Sequence, residues 1–150
     1  MSGISDFGKE ENMLFLISAL IQKYGQLFES CILECPQEIE KACEFMRQHF
    51  SERISLDQIC CYTGLSKSTL LRAFTKSKGI TPYRYLETIR INKAKLLLEK
   101  GVLPIDAAMQ TGFSDQSHFT NYFSRFIGLA PGVYREIFLE KDKNGEQHGK

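Results

Sequence analysis

The chain has 150 residues, 43% hydrophobic and 25% charged with no biased tract, which leaves room for one ordinary domain or two small ones. A formal net charge of only +1 conceals a gradient: residues 1–50 carry four Lys/Arg against eight Asp/Glu, residues 51–136 twelve against seven, and the tail from Ile137 three against three. The basic excess therefore lies in the middle and C-terminal part, where a polyanionic partner would be met.

The longest apolar stretch, Met13 to Ile21, is broken by Ser18 and is too short to span a bilayer. It has no basic leader and no small-residue cleavage site, so the expectation is a cytoplasmic protein without a membrane partner. Around it, Leu16, Leu20, Tyr24 and Leu27 recur at helical spacing, predicting one amphipathic helix over Met13–Phe28. Pro36 opens a second helix through about His49, striped by Ile39, Cys43 and Met46. The five cysteines (Cys31, Cys35, Cys43, Cys60, Cys61) are odd in number and lack zinc-ligand spacing, so they are expected reduced. Cys60 and Cys61 read as small core residues, and Cys31 and Cys35 as an incidental i, i+4 pair.

Ser55 is placed to cap a short helix Leu56–Tyr62 that Gly64 ends. Ser66 caps the next, which buries Leu70, Leu71 and Phe74 and stops at Gly79. Thr81 caps a long helix from Pro82 to Lys100, since proline suits the first helical position, and Gly101 closes it. Ile105–Gln110 is a short helix ended by Gly112, Ser114 is expected to cap the helix that follows, and a last helix begins at Pro131. The charged end "EKDKNGEQHGK" is expected to fray, making residues 139–150 a flexible tail. No sustained period-2 alternation is present, so the fold class is all-α.

One internal repeat organises these elements. Phe74, Gly79, Pro82 and Tyr85 have the spacing F-x4-G-x2-P-x2-Y, and Phe123, Gly128, Pro131 and Tyr134 reproduce it without a gap. Upstream, Gly64-Leu65-Ser66 matches Gly112-Phe113-Ser114. Each copy reads as a short helix, a glycine turn, a capped helix, a glycine stop and a proline-started helix. The expected architecture is thus two helix-turn-helix subdomains joined by the long central helix and preceded by the N-terminal amphipathic helix.

In such a unit the second helix needs an apolar face for the scaffold and a polar first turn for base edges and phosphates. In copy one Lys67, Ser68, Thr69, Arg72 and Lys76 can face outward, and Arg72 can bridge guanine O6 and N7. In copy two Phe119, Tyr122 and Phe123 anchor the helix, leaving Asp115, Gln116, Ser117, His118 and Asn121 exposed. Glutamine and asparagine suit adenine, whereas Asp115 repels phosphate unless it accepts from a cytosine amine or caps locally. His118 has no carboxylate or second histidine at ligand spacing, which argues against a catalytic or metal role; it either reads DNA or fills a water-facing site. Arg90 has two open roles, a phosphate contact or a bridge between the halves. Lys93 and Lys95 read as a solvated face with phosphate contact as the alternative, and Tyr85 and Tyr134 as packing residues. Catalytic motifs, metal sites and cofactor loops are not visible, so no enzyme activity and no cofactor are expected.

"GLSKSTLLRAFTKSKGITPYRYLETIRINKAKLLL" and "AAMQTGFSDQSHFTNYFSRFIGLAPGVYR" resemble the DNA-binding domain of the AraC/XylS family of bacterial transcription regulators over about residues 37–138. The resemblance implies two helix-turn-helix subdomains, at about 54–79 and 104–128 around a linker helix at about 82–100, that insert recognition helices into successive major-groove segments. It implies base-reading roles for Ser68, Leu71 and Arg72 in copy one and for Gln116, Ser117, His118 and Asn121 in copy two. Double-stranded DNA with an asymmetric operator is the implied partner, with RNA polymerase and a second copy of the chain as further candidates. Two positions depart from the pattern. Asn121 stands where many relatives carry arginine, and Pro104 where an aliphatic residue is usual, which suggests a later start for that short helix. Such domains follow an effector or dimerisation domain, so residues 1–36 are expected to be the end of one. The alternative reading is a helical protein-interaction module, or a DNA-binding accessory half of an enzyme.

Overall fold

The computed structural model describes residues 6–24 and 35–145. Among them lie eight helices and no strand: α1 (Asp6–Tyr24), α2 (Pro36–Gln48), α3 (Leu56–Thr63), α4 (Lys67–Lys78), α5 (Pro82–Glu99), α6 (Pro104–Gln110), α7 (Gln116–Ile127) and α8 (Pro131–Gly145). The expected helix end at Leu27–Phe28, Cys31 and the last five residues with His148 lie outside the described residues. The chain divides into two compact units, and the division falls within α5, between Glu87 and Thr88.

In the unit that ends at Glu87, α4 packs against α1, α2 and α3. Being covered from three directions gives α4 a wide buried arc: Leu70, Leu71, Ala73 and Phe74 are all inside. Ile39, Cys43 and Met46 form the expected stripe of α2 and are fully enclosed. Ser55 caps α3 through a reciprocal capping box with Gln58, which satisfies two of the orphan donors at the helix start. Cys61 is exposed and Cys60 only half-buried, so the buried cysteine here is Cys43, whose thiol pKa burial pushes up. The inward arc of α3 runs through Leu56, Ile59 and Thr63, which leaves Cys60 and Cys61 beside or outside it.

The unit that begins at Thr88 is built around an aromatic core. Phe119 and Phe123 of α7, Phe113 of the preceding turn and Tyr134 of α8 pack with Ile91, Ala94 and Leu98 of α5 and with Ala107 and Ala108 of α6. Pro104 is the first residue of α6 rather than an obstacle to it, because the first helical N–H has no intrahelical acceptor to lose. The C-terminal segment continues helically to Gly145, so the structure extends well into the charged end expected to fray.

The internal repeat is a repeat of geometry as well as of letters. Phe74 meets Tyr85 edge-to-face at 5.4 Å and 71°, and Phe123 meets Tyr134 at 5.5 Å and 73°. Gly64 and Gly112, which turn the chain between the paired helices, have φ of 75° and 82°, a region where a side chain is strained. Just before each turn a buried threonine, Thr63 or Thr111, donates its hydroxyl to the carbonyl four residues back, Ile59 at 2.8 Å and Ala107 at 2.7 Å. The capping of the two second helices differs. Ser66 accepts from the Thr69 amide as expected, but α7 is capped by Asp115, whose carboxylate accepts from the His118 amide at 2.6 Å. Ser114 is therefore one residue too early to be the cap.

The expected N-terminal amphipathic helix forms, with its faces used otherwise than the periodicity suggested. Leu16 and Leu20 are 64% and 57% exposed, and Met13, Phe15 and Ile17 are exposed as well. Among the described side chains of α1, Phe7 and Glu11 are buried.

Candidate nucleic-acid interface

The outward faces of α4 and α7 carry most of the residues expected to meet DNA. On α4, Ser68, Arg72 and Lys76 are exposed, and the Arg72 Nε donates to the Ser68 carbonyl at 3.4 Å, which lays the guanidinium along the helix surface. Thr69 is half-buried, and its hydroxyl accepts from the Ser66 Oγ at 2.8 Å within the cap. Leu71 is only 2% exposed. Its side chain belongs to the scaffold, so this base-reading candidate is withdrawn; the physical reason is the three-sided packing of α4. Lys67, at the first position of α4, is engaged by two carboxylates, Glu10 of α1 and Asp57 of α3, the latter at 3.1 Å, and these ion pairs hold its ammonium pKa above the usual lysine range.

On α7, Gln116, Ser117 and Asn121 are exposed. His118 is half-buried, its ring edge-to-face against Phe113 at 5.6 Å and 6.4 Å from Tyr122. Packing thus orients the imidazole. Asp115 is used locally as the cap, the role that removes its conflict with phosphate. Among the described residues no group of three or more His, Cys, Asp or Glu is arranged to hold a metal ion. No helix among them is long and apolar enough to cross a membrane.

The two faces differ electrostatically. Helix α4 carries Lys67, Arg72, Lys76 and Lys78 with no acidic residue, whereas α7 carries Arg125 alone besides His118. Lys78 and Arg47 both converge on Glu40, at 3.2 and 2.6 Å, and together hold its carboxyl below the ordinary range. Arg47 also donates to the Tyr85 hydroxyl at 3.0 Å, so Lys78 and Arg47 serve the scaffold of the first unit. In the second unit Tyr134 donates to Glu99 at 2.6 Å and Arg135 donates to the Gly101 carbonyl at 2.9 Å, which fasten α8 to the end of α5. Arg90 is buried, its guanidinium 6.0 Å from the centroid of the Phe113 ring, a cation–π placement that leaves it little access to phosphate. The positioning roles of Glu10 and Glu11 were not visible in the sequence, where Glu10 stands 57 residues before its partner Lys67.

The fold and its two polar turns define a protein of the double helix-turn-helix class. A family described as Helix-turn-helix domain matches residues 59–137. An uncharacterized HTH-type transcriptional regulator of Bacillus subtilis (strain 168), YbfI, is 55% identical over 111 residues, 73% of this chain and 40% of that protein. The C-terminal domain of AraT, a response regulator from Geobacillus stearothermophilus, is similar with a TM-score of 0.62 at 28% identity, over 67% of this chain and 84% of that one. The DNA-binding domain of the global transcriptional factor AdpA, solved in complex with a target DNA, shares the fold with a TM-score of 0.65 at 23% identity, over 69% and 94% of the two chains. The chain belongs to the AraC-type helix-turn-helix family and carries the DNA-binding domain of a transcription regulator of that family. It spans less than half the length of the B. subtilis relative.

Proposed function

We propose that this chain binds double-stranded DNA sequence-specifically, with α4 and α7 each presenting a first turn to a major-groove segment. The observation that carries this reading is the repeated geometry. Each helix is capped at its N-terminus, fastened from behind by a Phe–Tyr pair of matching distance and angle, and polar and exposed on its outward first turn. A helix held this way presents its amino end, with its free N–H groups and positive dipole, toward an anion, and the side chains beside it toward base edges. The complex of AdpA with its target DNA supports the same use of the shared fold.

The halves divide the labour. Helix α4, with Arg72 and Lys76 exposed, supplies most of the charge, and Arg72 reads a guanine while Ser68 supports it. Helix α7 reads by amide and hydroxyl chemistry through Gln116, Ser117 and Asn121, with His118 at the margin. Affinity should therefore fall steeply with salt, by a log–log slope of about −0.9 for each phosphate contacted. Arg72→Ala should cost about 1–3 kcal/mol and relax the preference at one base pair. Titrations of a duplex selected for binding this chain, against the same duplex with single base-pair changes, test both points. Equal weakening on every sequence would make Arg72 a phosphate contact, and salt-independent binding would point to an apolar protein interface instead.

A further inference from the structure

Helix α1 packs against α4 and reaches its amino end, the end that the reading above turns toward DNA. Its packed side is not the apolar row Met13, Leu16 and Leu20 but the short set Phe7 and Glu11, both buried, with the half-buried Glu10 beside them. Phe7 sits edge-to-face on Tyr83 at 5.5 Å. Glu11, 2% exposed, accepts from the Tyr83 backbone N–H at 2.9 Å and so satisfies one of the orphan donors at the amino end of α5. Glu10 is an ion-pair partner of the Lys67 ammonium at the amino end of α4. Two adjacent carboxylates thus lie against a cation and a helix amino end of the unit whose α4 also exposes Arg72 and Lys76.

We propose that the first turns of α1 act as an intramolecular substitute for DNA phosphate on the first helix-turn-helix: Glu11 and Phe7 anchor α1, Glu10 occupies Lys67, and full engagement of DNA requires α1 to lift. The proposal rests on the DNA-binding reading above and adds a built-in competitor to it. A carboxylate and a phosphate oxygen draw on the same donors of an ammonium group, so Lys67 cannot serve both fully. Asp57 also holds Lys67 but belongs to the helix-turn-helix itself, so the removable competitor is Glu10. Helix α1 holds three acidic residues against two basic, and residues 51–87 hold six basic against three acidic, so the charges of the two segments attract.

The test uses the full chain and a fluorescein-labelled 30-base-pair duplex of mixed sequence, with anisotropy titrations across a salt series. Glu10→Gln should tighten binding several-fold at about 0.1 M salt and steepen the log–log salt slope by about 0.9, the signature of one added phosphate contact. In a Lys67→Met background the same substitution should change neither affinity nor slope, which separates release of Lys67 from a general change in charge. Amide exchange within residues 6–20 should accelerate when duplex is added to the wild-type chain. If the wild type binds with a steep salt slope but Glu10→Gln leaves affinity and slope unchanged, the inhibitory contact is wrong and the DNA reading stands. A Glu10→Gln gain that persists in the Lys67→Met background, or α1 amides that become more protected with DNA, also overturns it. Absence of duplex binding by wild type and variant alike overturns both.

Discussion

Phe123→Ala removes the central anchor of the second reading helix. The ring is fully buried, 5.5 Å from Phe119 and 5.5 Å edge-to-face from Tyr134. Withdrawing a phenylalanine from a core forfeits about 1.5–3 kcal/mol of burial, and each aromatic pairing adds about 0.5–1.5 kcal/mol beyond area. A cavity between Phe119, Tyr134 and the α5 side chains adds to the loss, so the total should fall near the usual ~3–5 kcal/mol for such a truncation. Phe123→Leu, which keeps most of the volume, should cost roughly 1–2 kcal/mol. Urea unfolding followed by far-ultraviolet circular dichroism measures both, and an unchanged m-value would place the effect in stability rather than in the denatured state. A cost below about 1 kcal/mol for the alanine variant would refute the claim that this ring fastens α7, because a fully enclosed aromatic side chain cannot be removed that cheaply.

The remaining predictions concern the caps and the titrating anchor. Asp115→Ala should destabilise by about 0.5–2 kcal/mol, whereas Ser114→Ala should stay within about 0.5 kcal/mol in the same urea experiment; the reverse order would return the cap to Ser114. Burial pushes the Glu11 carboxyl up to about 7 from its ordinary 4.5, against the hydrogen bonds from Thr81 and the Tyr83 amide; Glu87 adds repulsion and Arg84 offsets it. The docked state therefore holds the proton more tightly than the free helix. Docking of α1 is strongest below about pH 4.5, weakens as pH rises to about 7 and is level beyond, with a span of about 3 kcal/mol. Amide exchange of α1, corrected for intrinsic rates between pH 5.5 and 8, should show this loosening in the wild type and little of it in Glu11→Gln. A variant as pH-dependent as the wild type would assign the effect to another group.

From α2 onward the helices and most of their boundaries were legible because their punctuation is local, whereas α1 begins at Asp6 rather than at the expected Met13. Gly64, Gly79, Gly112 and Gly128 end helices at positive φ, Ser55 and Ser66 cap them, and the F-x4-G-x2-P-x2-Y spacing marked Tyr85 and Tyr134 as equivalent packing residues, which the structure sets against Phe74 and Phe123. What failed depended on partners far away in sequence. Two adjacent leucines, Leu70 and Leu71, point about 100° apart, and only the packing of α1, α2 and α3 on α4 decides that both are inside. Ser114 and Asp115 are both good capping residues, so composition could not choose between them; the extended backbone at Asp115, φ −148° and ψ 154°, does. Helical periodicity in α1 revealed an apolar stripe, but not that the helix would dock through Phe7 and Glu11 and leave Leu16 and Leu20 exposed. Of the candidate interface, the exposed Ser68, Arg72, Lys76, Gln116, Ser117 and Asn121 could be read from amphipathy alone. The engagement of Lys67 by Glu10 could not.

The most direct test of the central claim is hydroxyl-radical footprinting of the chain on a duplex selected from a random library. The account predicts two protected patches on one face of the DNA, about one helical turn apart, with unlike sequences beneath them and with Arg72→Ala and Asn121→Ala each relaxing selection under a different patch. A single patch, or selection that returns no preferred sequence, would contradict it.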